Sequence, residues 1–278
     1  MRRLLRNRVI YQVKETLHSR AEFDGTAYYY LKYRGQYSHQ LIDTVAELCG
    51  LDGSGRLLDL GCGTGKLTFP LADYFSETIG IDISEDMLQS AQSQAELLEK
   101  HTMRWVEMSS EEIGPTLGQF RLITAGDAFH WMDREKVLRL CYERLQPGGA
   151  IALVGQGHML GNYQLLWQRA VHRVVERWFG RGADCFPGDR ESDERLIEQS
   201  PFVNMKTGTI HSLRKRDINS IIGYLYSTSG CKKSLLGDRS ALFERDVHDV
   251  LKSIDPGGIF KEPITDYYIV AYKTNHAG

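Results

Sequence analysis

The stretch Leu57–Lys66, LLDLGCGTGK, constrains the chain more than any other. Its first four residues form an apolar run broken by Asp59, and Gly61, Gly63 and Gly65 follow at alternate positions. Beyond them Leu67, Leu71, Ala72 and Phe75 recur at helical spacing, so the segment reads as a buried strand, a glycine turn and a helix. Glycines without Cβ let the backbone approach a ligand closely. Pro70 falls in or just after the first turn of that helix, where few hydrogen bonds are lost.

A second strand, Glu77–Ile83, carries Asp82 near its carboxyl end, about 20 residues past the loop, where an acid accepts hydrogen bonds from both hydroxyls of a ribose. The ligand therefore carries an adenosine-like group. The loop is G-x-G-x-G with Lys66 where a dinucleotide fingerprint has Gly or Ala, which argues against close pyrophosphate binding.

With LLDLGCGTGK, IGIDIS and the later LQPGGAIAL in view, the chain resembles the class I S-adenosylmethionine (SAM) dependent methyltransferases, in particular their small-molecule, methyltransferase type 11-like subgroup. FDGTAYYYLKYRGQY (Phe23–Tyr37), AGDAFHWMD (Ala125–Asp133), GYLYSTSG (Gly223–Gly230) and LGDRSALFE (Leu236–Glu244) extend the resemblance over about residues 22–274. It implies a Rossmann-like, doubly wound α/β fold with a seven-stranded, mostly parallel sheet, an N-terminal helical cap and C-terminal lid insertions. The expected organisation is an extension and cap over 1–40 and a methyltransferase domain over 41–278, with insertions at about 156–200 and 214–260.

The resemblance also implies site residues. SAM is the cofactor, S-adenosylhomocysteine the product, and the expected cofactor contacts are Arg34, Asp59, Gly61, Gly63, Gly65, Asp82, Ile83, Met87, Ser109, Ser110 and Asp127. Tyr29 and Tyr33 are expected to line the site and Arg34 to meet the methionine carboxylate, a task suited to a bidentate guanidinium. Related enzymes usually place Asp and Ala where this chain has Ser109 and Ser110. A hydroxyl still accepts from the adenine amino group, more weakly than a carboxylate.

The fourth strand, Phe120–Ala125, delivers Asp127, Phe129, His130 and Trp131 to the strand ends where open α/β sheets bind ligands. His130, with an ordinary pKa of about 6.5, suits proton transfer or acceptor positioning. Catalytic work is expected from His130, Tyr29 and Tyr33, and acceptor contact from Tyr29, Phe129, His130 and Trp131. The GDAF segment lacks the Asn/Asp-Pro-Pro-Tyr signature of enzymes that methylate nucleic-acid amino groups, which points to a small acceptor.

Composition narrows the remainder. A formal net charge of -2 gives no basic field for nucleic acid. The five cysteines lie far apart without a C-x-x-C pair, which suits reduced thiols in the cytoplasm, and no metal-ligand cluster is visible. No apolar run is long enough to span a bilayer. Residues 1–20 read as a basic amphipathic helix that packs on its own domain, exchanges between the subunits of a homo-oligomer or, last, targets a membrane or organelle. The alternatives to a small-molecule methyltransferase are a SAM-binding protein without catalysis, a macromolecule methyltransferase and a nicotinamide-dependent oxidoreductase.

Overall fold

A computed structural model describes residues 27–157, 159–160, 163–180 and 190–275. The basic helix expected over residues 1–20 lies outside them. Strand β1 (Arg56–Leu60) is buried from Leu57 onward, on both faces, as a central parallel strand must be. It pairs in parallel with β2 (Glu77–Asp82) on one side and β4 (Phe120–Gly126) on the other. With β3 (Met103–Glu107), β5 (Leu145–Gln156), β6 (Val203–Asp217) and β7 (Ile259–Tyr272), the sheet runs β3-β2-β1-β4-β5-β7-β6. β7 is antiparallel to β5. The chain moves outward from β1 through β2 to β3, then returns across β1 to β4. The order reverses there, and the carboxyl ends of β1 and β4 flank the switch point where ligands bind in such sheets.

Contacts divide the chain into two units. Among the described residues one comprises those within 36–156, 190–210 and 265–275, and the other those within 27–35, 157–180 and 211–264. In the sheet unit, α2 (His39–Leu48) and α3 (Thr68–Ala72) send apolar side chains such as Leu41 and Leu71 to one face, with Leu57 and Val270. The opposite face receives Val137 and Leu138 of α5 (Arg134–Arg144) and Ile197 of α7 (Arg190–Glu198), with Ile269 and Ala271 of β7. The second helix of the wound sheet, α4 (Glu85–Leu97), carries Glu85 and Asp86 in its first turn, where they complement the helix dipole.

The helical unit has its own core. α1 (Ala27–Tyr33), α6 (Leu166–Phe179), α8 (Ile218–Tyr226) and α9 (Ser240–Ile254) pack around Val171, Ile221, Phe243 and Leu251. Inside it Arg216 Nε lies 2.6 Å from Glu262 Oε2, and its guanidinium donates to the Tyr33 carbonyl at 3.1 Å. A buried pair of this kind holds only while both partners and their hydrogen bonds remain. Among the described residues no helix is long and apolar enough to cross a membrane.

Gln146–Gly149 carry the Pro-Gly-Gly signals of a turn yet belong to β5, because a register shift between Phe120 and Leu122 lets the strand run through them. β6 and β7 are long strands of 15 and 14 residues. Ser84 precedes α4, yet its hydroxyl makes no capping bond; its backbone N–H donates to Asp82 Oδ1 instead.

Candidate active site

The glycine loop is built by backbone requirement. Gly61, Gly63 and Gly65 have φ of +58°, +54° and +80°, values that side chains with a Cβ rarely adopt. At Gly61 a Cβ would stand 2.7 Å from that of Ala128, and at Gly65 it would lie 2.5 Å from the Phe69 ring. At Gly63 a Cβ would meet nothing within 4 Å. Packing thus explains the outer glycines, while the middle one presents bare backbone to open space. Pro70 is the third residue of α3, a position whose N–H needs no helical partner.

Asp82 joins the two strand ends. Its Oδ2 accepts from Gly63 N at 2.8 Å and its Oδ1 from Ser84 N at 2.9 Å, so each oxygen keeps a lone pair for a further donor. Ile83, next in the chain, is 76% exposed, an apolar surface beside the carboxylate, and Met87 is half-buried one turn into α4. These features fit an adenosine: free carboxylate lone pairs for ribose, apolar side chains for a base, and unobstructed backbone at Gly63 for the chain that follows.

Asp59 is placed otherwise. It is 1% exposed, and its two oxygens accept from the hydroxyls of Thr68 and Thr124, tying β1 to α3 and β4. Burial raises its pKa to about 6, against the two hydroxyl hydrogen bonds and with a further push from Asp82. A carboxyl raised above its unfolded value contributes stability that is full below the unfolded pKa and is lost as pH rises through the folded one. Relative to Asp59→Asn, the wild-type protein is therefore expected to lose stability between about pH 4 and pH 6, on the order of 3 kcal/mol. Urea denaturation of both proteins across that interval measures it, and parallel pH profiles would contradict the assignment.

At the end of β3, Ser109 caps a short 3-10 turn, with Glu112 closing a capping box, and its hydroxyl bonds to the Glu111 carboxylate. Glu111 in turn accepts from Asp133 N at 2.7 Å. Ser109 is thus engaged in local structure, and Ser110 beside it is buried.

Asp127, at the end of β4, adopts φ +50°, a conformation Asp tolerates better than most residues. Three bonds hold it there. Its N–H donates to the Val154 carbonyl at 2.9 Å, Oδ1 accepts from Gln156 N at 2.9 Å, and Oδ2 accepts from the Tyr37 hydroxyl at 2.8 Å. Gln156 Nε2 continues the network to the buried Asp266 at 2.7 Å. Tyr37 and Gln156 were not singled out as site residues in the sequence, though Tyr37 ends the aromatic run. Phe129 is buried, His130 is half-buried, and Trp131 is 73% exposed with its ring centroid 5.1 Å from the imidazole. Burial lowers the His130 pKa, opposed by Asp127 and Asp193 and aided by Arg134, so the neutral imidazole is favoured.

Tyr29, Tyr33 and Arg34 belong to the helical unit and make their described contacts within it. Tyr29 stacks on Tyr33 at 6.1 Å and meets Tyr226 edge-on at 5.2 Å. Arg34 Nε donates to Ser227 Oγ at 3.0 Å, and its guanidinium lies 4.8 Å from the Tyr224 ring and 5.1 Å from Tyr30. Such contacts carry about 1–3 kcal/mol together. Arg34→Ala is accordingly expected to lower the thermal midpoint of the ligand-free protein by several degrees. An unchanged midpoint would show that these contacts carry little stability.

The comparisons with known proteins agree with this geometry. A family model described as a methyltransferase domain matches residues 57–149, which begin in β1 and end in β5. The chain is similar to a demethylmenaquinone methyltransferase of Lactococcus lactis, 26% identical over 57% of this chain and 68% of that protein. It is also similar to a trans-aconitate 2-methyltransferase of Deinococcus radiodurans, 32% identical over 40% of this chain and 42% of the relative. In fold it is similar to the YcgJ protein of Bacillus subtilis, with a TM-score of 0.57 at 15% identity, covering 86% of this chain and all of that one. Glycine loop, strand-end carboxylate, strand order and the family match over residues 57–149 converge on a class I S-adenosylmethionine-dependent methyltransferase domain.

Proposed function

We propose that this methyltransferase modifies nitrogen, oxygen or carbon of a small-molecule acceptor, of the kind found among secondary metabolites, in a cytoplasmic setting. In this reading Asp82 accepts the ribose hydroxyls, Ile83 and Met87 border the adenine, and Ser109 and Ser110 stand at the neighbouring strand end. Bare backbone at Gly63 lets the cofactor approach the loop. SAM, when bound, supplies a methyl group already made electrophilic by its sulfonium.

The chain's own residues then have two tasks. One is alignment of the acceptor with that methyl and removal of water, together worth up to roughly 7–11 kcal/mol. The other arises only when the acceptor begins protonated, and His130 is the residue for it. The observation that carries the assignment is its place: a half-buried, largely neutral imidazole at the carboxyl end of β4, beside the switch point and next to an exposed Trp131. Asp127, held by Tyr37 and Gln156, fixes the backbone from which the turn bearing His130 departs.

The two relatives described above act, by their names, on demethylmenaquinone and trans-aconitate, which supports a small acceptor. The test is a screen with methyl-labelled SAM against quinols, phenols, organic acids and amines, with bulk tRNA and cell protein as separate arms. Label is expected in the small-molecule arms. Label confined to tRNA or protein would replace this reading with a macromolecular one, and binding of NAD in preference to S-adenosylhomocysteine in calorimetry would remove the cofactor.

A further inference from the structure

Tyr267 lies in β7 opposite Gly155 of β5, one residue past Val154, where the parallel pairing with β4 ends. Its ring occupies the space that a side chain at position 155 would need: a Cβ on Gly155 would stand 2.3 Å from Cζ and 2.4 Å from the hydroxyl oxygen. The phenol therefore lies over the strand end, one residue from Gln156, which donates to Asp127. Alternation along β7 fixes its face. Ile269 and Ala271 pack with Phe129, while Val270 packs on the other side, so Tyr267 shares the face of Phe129 and the turn that carries His130.

Two carboxylates connect Tyr267 to His130. Asp127 and Asp193 act on both groups, and Arg190 of α7 sits 5.9 Å from the Tyr267 ring. Asp193 is fixed by Arg134 at 2.9 Å, and Arg190 by Glu194 at 2.7 Å, so neither arginine faces the site as an unopposed cation. Burial, then Asp127 and Asp193, raises the Tyr267 pKa against the pull of Arg190, which keeps the phenol a proton donor at neutral pH.

We propose that Tyr267 is an acceptor-binding residue whose hydroxyl donates a hydrogen bond to the acceptor oxygen beside His130, and that the acceptor is a neutral phenol. The inference rests on methyl transfer to a small acceptor at His130. An acceptor arriving as a carboxylate would meet the like charges of Asp127 and Asp193; a neutral hydroxyl does not. The exposed face of Trp131 beside the imidazole offers a flat apolar surface that an aromatic ring would cover. In the reaction the phenol O–H gives its proton to the imidazole, and an oxygen lone pair forms the new O–CH₃ bond. The pair of the broken S–CH₃ bond stays on sulfur, and the imidazolium releases its proton to water.

The probe is 4-nitrophenol, titrated into the enzyme saturated with S-adenosylhomocysteine, on the acid side of the probe's own ionisation so that the free form is colourless. No turnover is needed, and the absorbance of the protonated probe reports binding. The wild-type protein is expected to bind the probe in its colourless form, because an imidazole held below its ordinary pKa does not retain that proton at equilibrium. His130→Gln should bind it with similar affinity, and Tyr267→Phe, which keeps the ring over Gly155, should bind it about tenfold more weakly. Calorimetry should give all three proteins the same affinity for S-adenosylhomocysteine. Equal probe affinity in Tyr267→Phe overturns the role of the hydroxyl, and no probe binding by the saturated wild-type enzyme overturns the phenol class. Loss of S-adenosylhomocysteine binding in the wild type would instead strike the cofactor assignment, and this inference with it.

Discussion

Replacing Asp82 with alanine is expected to weaken binding of S-adenosylhomocysteine by about 100-fold or more, measured by calorimetry on the folded variant. The magnitude follows from the hydrogen bonds involved. A bond to a charged acceptor contributes about 1.5–3 kcal/mol, and the variant would strip two ribose hydroxyls of theirs. The carboxylate has a second duty, since it holds Gly63 N and Ser84 N and so fixes the bare middle of the glycine loop. Ribose contact and loop anchoring can be separated with an analogue of S-adenosylhomocysteine that lacks both ribose hydroxyls. Wherever ribose contact dominates, wild type and variant bind that analogue almost equally; wherever anchoring dominates, the variant remains the weaker binder. Asp82→Asn should be impaired as well, because its amide presents N–H donors to one of two backbone N–H groups. Unchanged affinity in a folded Asp82→Ala protein would remove this residue from the cofactor site.

Legibility of these features in the sequence follows their range along the chain. The glycine loop and Asp82 lie 19 residues apart in one βαβ unit, and their requirements are local: positive φ at the glycines and an acid at a strand end. Such requirements fix residue type at a position, so they can be read. The contact between Tyr37 and Asp127 spans 90 residues and that between Gln156 and Asp266 spans 110. Neither has a period or spacing that marks it in advance. The pairing of Gly155 with Tyr267 is of the same long-range kind, decided by strand register. At the start of β5, Pro147, Gly148 and Gly149 carry strong turn signals, and only the register shift against β4 shows how a strand absorbs them. The second half of β6, from Ile210 to Asp217, alternates few apolar residues and is largely exposed, so no strand period marks it. Ser109 is a different case. Its capping box with Glu112 is a local S-x-x-E signature, legible in the sequence.

His130→Gln is expected to lower the single-turnover rate with bound SAM by roughly 10²–10⁴-fold while acceptor affinity changes little, provided the acceptor starts protonated. Glutamine keeps hydrogen-bonding capacity but takes up no proton in this range. The pH dependence supplies an independent reading. Burial places the imidazole pKa below its ordinary 6.5, with Asp127 and Asp193 limiting the fall and Arg134 deepening it. The base is the neutral form, so the wild-type rate should rise with pH to a plateau, with its midpoint on the acid side of 6.5. The variant should lack that rise. Stability carries the same signature, because between the unfolded and the lower folded pKa the unfolded chain binds more protons. Folding is therefore weakened as pH falls through that window, and His130→Gln should remove this component. If the rate survives while acceptor affinity drops, the imidazole serves to position the acceptor. Proton loss would then be left to solvent or to an acceptor that needs no base, and alignment beside Asp127 would be what the turn after β4 contributes.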